Sequence, residues 1–447
     1  MSTVHTIDVQ AYVDGQKISP LQSAVVALCF AVVAIDGFDT AAVGFIAPAL
    51  RTEWRLAPAQ LAPLFAAGLL GLMIGAMVFG PIADRIGRKP VLLLTTAFFA
   101  VASLLSTTAP DIHSLTFWRL VTGIGLGGAM PTATTLTAEY CPSRTRSLTV
   151  TVMFCGFTLG GMLGGLAAAG LAGAHRWKAV LMLGGLLPLV LLVFLAWFLP
   201  ESPRYLAMKG GHDGRVAAIL SRIRPAPELL NAHFLRPQVS AGSPVGKLFA
   251  PRLARGTILL WLTFFMSLLV FYLLTSWLPT LLTGAGQSLR TAALVGVVLP
   301  LGSTVGAVVI GYGMDKADPH RVLAASYVLG AVSIAALGFA APFPLLLVLT
   351  VLGAGIGSGG ALIGVNALTA SFYPTANRAT GVSWANAIGR TGSIFGSAIG
   401  GYLLGRGWSM HAVFTVAALP ALIAAITISG KRRAGMNGSA LSEPQQA

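Results

Sequence analysis

The sequence predicts an all-α membrane protein, twelve transmembrane helices in two pseudo-symmetric six-helix halves. Three observations predict it. The 447 residues are 55% hydrophobic and only 10% charged, whereas about a quarter of a soluble domain is charged. Apolar windows of about 20 residues, long enough to cross a bilayer core, recur through nearly the whole chain. Short motifs of the first half return in the second at a nearly constant offset.

Bilayer thickness sets the element lengths. Span 1 is expected at about Leu21 to Ala47, span 2 at Leu61 to Ile82, and span 3 at Val91 to Ala109. Span 4 follows at Leu115 to Ala138, span 5 at Leu148 to Ala172, and span 6 at Ala179 to Leu199. Pro200 to Arg255 then carries nine basic residues, seven prolines and almost no apolar run. It reads as a central cytoplasmic loop with short surface helices. Spans 7 to 9 are expected at Thr257 to Leu282, Ala293 to Met314 and Val322 to Ala341. Spans 10 to 12 follow at Leu345 to Ala370, Ala379 to Leu404 and Ala412 to Ser429. The domain organisation is thus a cytoplasmic segment 1–20, a first half 21–199, the loop 200–255, a second half 256–430 and a tail 431–447. The tail, basic and then small and polar, is expected to be disordered. Residues 1–20 lack a basic n-region and a small-residue cleavage site, so no cleaved signal peptide is expected.

The repeat rests on three matches. Gly80 to Pro90 reads GPIADRIGRKP and Gly311 to Arg321 reads GYGMDKADPHR, which aligns Asp84 with Asp315 at an offset of 231. Pro142-Ser-Arg-Thr-Arg146 matches Pro374-Thr-Ala-Asn-Arg378 at 232, and Gly123, Gly125, Gly127 and Gly128 match Gly355, Gly357, Gly359 and Gly360 at the same offset. One such coincidence is cheap. Three argue a duplicated six-helix unit.

The net charge of +15 does not signal nucleic-acid binding. With loops assigned alternately from a cytoplasmic N-terminus, most Lys and Arg fall inside, and the positive-inside rule then places both termini in the cytoplasm. Cys29, Cys141 and Cys155 lie in or at the edges of spans without metal-ligand spacing, which indicates neither a disulfide framework nor a zinc site.

Against this apolar background the acids of span 1 stand out, in Asp36-Gly37-Phe38-Asp39-Thr40. An ionised side chain in a bilayer core costs about 2.5–3.5 kcal/mol even on the lenient insertion scale, so such residues are functional candidates. Positions i and i+3 share a helix face, where two carboxylates repel and compete for a proton, as a proton carrier requires. Thr40 can return its hydroxyl to the backbone carbonyl of Asp36 and bend the helix, while Gly37 admits a close neighbour. Gly156, Gly160 and Gly164 on span 5 are read as structural, for close packing.

Gly80-x-x-x-Asp84-Arg85-x-Gly87-Arg88-Lys89 resembles the cytoplasmic loop signature of the major facilitator superfamily, a likeness that covers essentially the whole chain. That resemblance implies alternating access about a site between the halves near the bilayer midplane. Asp36 to Thr40, followed by Ala-Ala-Val-Gly-Phe-Ile-Ala-Pro48, is similar to the span 1 signature of the aromatic acid/proton symporter family. Met130-Pro-Thr-Ala-Thr-Thr, Thr275-Ser-Trp-Leu-Pro279-Thr and Arg378-Ala-Thr-Gly-Val-Ser-Trp384 resemble its 4-hydroxybenzoate transporters. The resemblance implies import of a benzoate-type anion with protons across a bacterial inner membrane, both span 1 acids being required. No cofactor beyond the coupling protons is implied, and a monomer is expected to suffice.

Past Glu228 the acidic residues are Asp315, Asp318 and Glu443, all assigned to the cytoplasmic side. A counter-charge for Arg390, half way along span 11, is therefore expected from Asp36 or Asp39 across the cavity, or from a substrate carboxylate matched to the guanidinium fork. Arg119, near the outer end of span 4, is assigned to Asp36 or Asp39. Two acids and two arginines balance, and a proton taken up leaves a positive charge that favours an anion. Candidate ring contacts are Phe38, Tyr272 and Trp384, with Asn386 for a ring hydroxyl.

Gating candidates are Asp84, Arg85, Arg88, Asp315 and Arg378, together with Glu139 beside Arg144 and Arg146. Glu201 and Arg204, in Glu201-Ser-Pro-Arg204, resemble another superfamily gate motif. His320, in the loop between spans 8 and 9, is a further candidate that could titrate near neutrality. An intramembrane enzyme finds no support, because no H-E-x-x-H or recognisable nucleophile motif occurs. The alternatives are a proton-coupled exporter and an importer of another organic anion.

Overall fold

Leu, Val, Ile and Ala dominate each predicted window, and in a bilayer such a window must satisfy its backbone internally, which only a helix does without partners. The computed structural model describes residues 6–171, 177–229, 232–235, 245–251, 253–373 and 375–440. A short helix α1 (Val9–Asp14) precedes α2 (Pro20–Glu53), α3 (Ala62–Ile86), α4 (Arg88–Ser106), α5 (Ile112–Tyr140), α6 (Ser143–Gly170) and α7 (Trp177–Phe198). The loop carries α8 (Pro203–Lys209) and α9 (Asp213–Ile223). Then come α10 (Ala254–Gly284), α11 (Leu289–Lys316), α12 (Pro319–Ala340), α13 (Pro344–Ala354), α14 (Ala361–Phe372), α15 (Thr375–Gly405) and α16 (Met410–Ala440).

Among the described residues ten helical stretches are long and apolar enough to cross a membrane. α5 and α15, at 29 and 31 residues, are long enough but diluted by glycine, threonine and the charges Arg119, Glu139 and Arg390. They complete the twelve predicted spans. Span 10 is α13 and α14 joined through a π-helical stretch, Gly355–Gly360. α16 continues to Ala440, past the predicted end at 429 and into the stretch expected to be disordered. Its Lys431-Arg432-Arg433-Ala run consists of good helix formers.

Contacts divide the chain into two compact units. The first comprises Met1–Thr40, Leu70–Gly160 and Leu181–Ser240, the second Ala41–Leu69, Gly161–Val180 and Ala241–Ala447. In the first, Gly71 and Gly75 of α3 lie against the backbone carbonyls of Leu120 and Ile124 of α5. In the second, Gly302 and Gly306 of α11 meet Leu352 and Ile356 in the same way. Each contact repeats at the offset of the sequence motifs. The duplication therefore extends to which backbones touch.

The first unit also carries a small cap. β1 (Thr6–Ile7) pairs in parallel with β2 (His233–Phe234). Val9 and Val13 are buried with Val216, Leu220, Ile223 and Phe234. Asp14 accepts hydrogen bonds from Gln10 Nε2 at 2.8 Å, Ser143 N at 2.7 Å and Ser143 Oγ at 2.8 Å. Burial raises the Asp14 pKa, but these bonds and the nearby Arg146 outweigh it and hold the carboxyl below its usual range. A depressed carboxylate stabilises above its unfolded pKa of about 3.9 and loses that contribution as pH falls through the folded value. At neutral pH this clamp is fully engaged.

In the second unit Trp277 donates its indole N–H to the Ser397 carbonyl at 2.7 Å and meets Phe65 edge-on at 5.0 Å. Trp177 donates to Glu53 Oε2 at 2.6 Å. Phe194, Trp197, Leu345 and Leu349 are exposed, as lipid-facing side chains are.

Two glycines of α6 give a paired test. A Cβ at Gly160 would collide with the Ala34 carbonyl, whereas one at Gly170 would meet open space. Gly160→Val is expected to lose about 1–3 kcal/mol through overpacking, and Gly170→Ala to stay within about 0.5 kcal/mol. Thermal unfolding and monodispersity in detergent read both.

Candidate functional site

The site of the first unit is built where α2 crosses α6. Gly37 lies against the backbone of Phe157, and Gly160 against Ala34 and Phe38. With no Cβ on either side, the two backbones touch. This contact fixes the turn of α2 that carries both acids. Asp36 and Asp39 are both buried.

Asp39 is held by Arg119 of α5 in a bidentate pair, with Nη1 to Oδ1 at 2.9 Å and Nη2 to Oδ2 at 2.7 Å. Both partners are buried. Arg119 Nη2 also reaches the Asp39 carbonyl at 3.5 Å. A fork-to-fork geometry of this kind is the strongest protein ion pair. Around it, Ser103 of α4 donates to the Leu181 carbonyl at 3.2 Å. A Cβ at Gly184 of α7 would lie 3.3 Å from Ser103 Oγ and 3.5 Å from Asp39 Oδ1. Sequence reasoning left Arg119 between the two acids, and the structure places it on Asp39.

Thr40 corrects an expectation. Its hydroxyl donates to the Asp36 carboxylate Oδ1 at 3.2 Å, not to the Asp36 backbone carbonyl. A carboxylate one turn back is within side-chain reach and is the stronger acceptor.

In the second unit Arg390 lies midway along α15, and Asn386 one turn before it shares its face. Asn386 Nδ2 donates to the Val382 carbonyl at 3.0 Å and to Asn366 Oδ1 of α14 at 3.5 Å. Trp384 is not brought to that face. Six residues of helix turn it about 120° away from Arg390, where it is 41% exposed and stacks on Trp261 at 5.9 Å. Tyr272 is buried on α10, edge-on to Phe271 at 5.4 Å, and Phe38 is buried on α2.

The gating candidates separate into two groups. Arg88, at the start of α4, meets Asp84 at 3.2 Å and Glu139 at 3.3 Å. Glu139 thus finds Arg88, not the Arg144 and Arg146 that follow it in sequence. α5 ends at Tyr140, and beyond that break Arg144 donates to the Asp14 and Gln16 carbonyls while Arg146 donates to Ser143 Oγ. Glu201 Oε1 accepts from the backbone N–H groups of Arg88 at 3.0 Å, Lys89 at 3.3 Å and Ser202 at 2.7 Å. Gly87, at φ +110°, precedes α4 and supplies no side-chain cap, so a carboxylate from 113 residues away caps the helix and meets its dipole. Tyr205 donates to the Arg85 carbonyl at 2.8 Å. Arg204 is half-buried and Asp315 exposed. His320 Nδ1 lies 3.5 Å from Asp318, the residue that caps α12. The side chain of Arg378 lies outside the described residues.

Residues 29–323 and 260–440 match the model of the Major Facilitator Superfamily. The chain belongs to that superfamily. It is 45% identical over 431 residues to the 4-hydroxybenzoate transporter PcaK of Pseudomonas aeruginosa, covering 96% of each chain. It is 46% identical over 424 residues to the gallate transporter of Pseudomonas putida, covering 94% of each. Within the superfamily these relatives fit the aromatic acid/proton symporter family. The fold matches the inward open conformation of the xylose transporter XylE from E. coli with a TM-score of 0.74, 18% identity, and coverage of 91% of this chain and 96% of that one. The chain is a multi-pass membrane transporter and not an enzyme.

The ion pair yields a prediction. Asp39→Asn strands a buried guanidinium and should cost about 3–5 kcal/mol, while Asp39→Asn combined with Arg119→Gln should recover most of that stability. A double-mutant cycle on thermal unfolding in detergent measures the coupling.

Proposed function

We propose that the chain imports a benzoate-type acid such as 4-hydroxybenzoate together with protons across a bacterial cytoplasmic membrane, both termini lying inside. The observation that carries the proposal is the buried Arg119–Asp39 pair beside a second buried acid, in a chain similar over almost its full length to transporters of 4-hydroxybenzoate and gallate. Asp39 is committed to Arg119. We assign the exchangeable proton to Asp36, the second buried acid of that turn, whose carboxylate accepts a hydrogen bond from Thr40.

The coupling is electrostatic. With Asp36, Asp39, Arg119 and Arg390 all ionised the four charges cancel. A proton on Asp36 leaves one positive charge, and a carboxylate on the planar fork of Arg390 restores neutrality. Proton and anion thus stabilise one another, because each alone leaves unbalanced charge at membrane depth. Rocking of the fold would make and break the charge-assisted bonds of Arg88, Asp84 and Glu139.

Uptake of radiolabelled 4-hydroxybenzoate into proteoliposomes under an inward proton gradient tests this. Wild type should accumulate the acid, and protonophore should abolish the accumulation. Asp36→Asn should lose gradient-driven uptake, and Arg390→Ala and Arg390→Lys should raise KM about tenfold to a hundredfold. Gradient-independent uptake by wild type would refute proton coupling. Unchanged KM in both Arg390 variants would remove that residue from the substrate.

A further inference from the structure

The chain contains five asparagines, at positions 231, 366, 377, 386 and 437. Asn366 and Asn386 are the two set well inside spanning helices, and they touch each other, Asn386 Nδ2 donating to Asn366 Oδ1 at 3.5 Å. A primary amide at membrane depth is costly unless its bonds are made, and such groups mark functional surfaces. Each of these is anchored to its own helix one turn back, Asn366 Nδ2 to the Leu362 carbonyl at 2.9 Å and Asn386 Nδ2 to the Val382 carbonyl at 3.0 Å.

An amide has two N–H donors and one carbonyl oxygen. Asn386 uses its donors on Val382 and Asn366. What it offers a ligand is therefore its Oδ1, an acceptor. Arg390 stands one turn further along the same face of α15, about 6 Å along the axis, comparable with the distance from the carboxylate of a benzoate to an oxygen on its para carbon.

Building on the function proposed above, we infer that Asn366 is a positioning residue for substrate specificity: it fixes the Asn386 amide so that its carbonyl accepts a hydrogen bond from a para-hydroxyl donor on a benzoate whose carboxylate lies on Arg390. Asn366 acts through Asn386. The structure then selects acids that carry a para donor over those that carry hydrogen or a bare acceptor there, because an oxygen covered by the bound ring and left without a donor is the costly state.

The test compares KM for three labelled acids in proteoliposomes: 4-hydroxybenzoate, benzoate and 4-fluorobenzoate, whose fluorine is small and cannot donate. Wild type should show KM about tenfold lower for the hydroxylated acid than for the other two. Asn366→Ala frees one Asn386 donor and lets the amide turn. It should compress that ratio to within about threefold, mainly by raising KM for 4-hydroxybenzoate, with KM for benzoate little changed.

Equal KM values for 4-hydroxybenzoate and 4-fluorobenzoate in wild type would overturn the inference without any variant. So would an Asn366→Ala protein in which all three KM values move by one factor, the signature of an amide that only holds α14 to α15. Wild type that takes up none of the three acids would remove the transport proposal itself, and this inference with it.

Discussion

Everything near the acids of α2 depends on one buried ion pair. Arg119 and Asp39 meet at 2.7 and 2.9 Å, in a place where either charge alone would be expensive. The pair ties α5 to α2. It stays in register because Gly37 and Gly160 let α2 and α6 touch backbone to backbone at the turn that carries the acids. The packing sets the position of the charges, and the charges make that packing worth keeping.

The two halves of the duplication have kept the same packing and changed the chemistry. Gly71 and Gly75 of α3 against Leu120 and Ile124 of α5 have their counterparts in Gly302 and Gly306 against Leu352 and Ile356. The position that matches Asp36 is Ser267, which shares a hydrogen bond with Tyr327 at 2.6 Å, and the position that matches Arg119 is Val351. The first half thus carries the acids, while the second carries Arg390 and the asparagine pair. The glycine ladders diverge too, continuous α-helix within α5 and a π-helical stretch at Gly355–Gly360. A single repeated scaffold thus carries buried acids in one half and an arginine with two amides in the other, which the proposed function reads as a proton-handling part and an anion-handling part.

Much of this was legible in the sequence, because a membrane makes patterns simple. Spans announce themselves by length and apolarity, and an acid within one is a functional candidate by default. The repeat showed in three motifs. Less legible was anything that depends on which side chain a group reaches. Thr40 was expected to bond backbone and bonds carboxylate, since sequence does not rank two acceptors one turn away. Glu139 pairs with Arg88, 51 residues distant, where proximity along the chain favoured Arg144. Trp384 reads as a ring contact until helical phase turns it from Arg390. Glu201 as the cap of α4, and Asp14 as the clamp on α6, need the fold. Asn366 does carry a signal in the sequence: it is one of two asparagines placed deep in spans.

Proton movement itself is the most direct measure. Proteoliposomes loaded with a pH-sensitive dye, at equal pH on both sides, would receive 4-hydroxybenzoate from outside, with protein-free liposomes as the control for passive entry. Wild type should acidify the lumen in step with uptake of the labelled acid, and Asp36→Asn should not. Uptake by wild type at the same rate with no luminal acidification beyond the control would contradict coupling through the acids of α2.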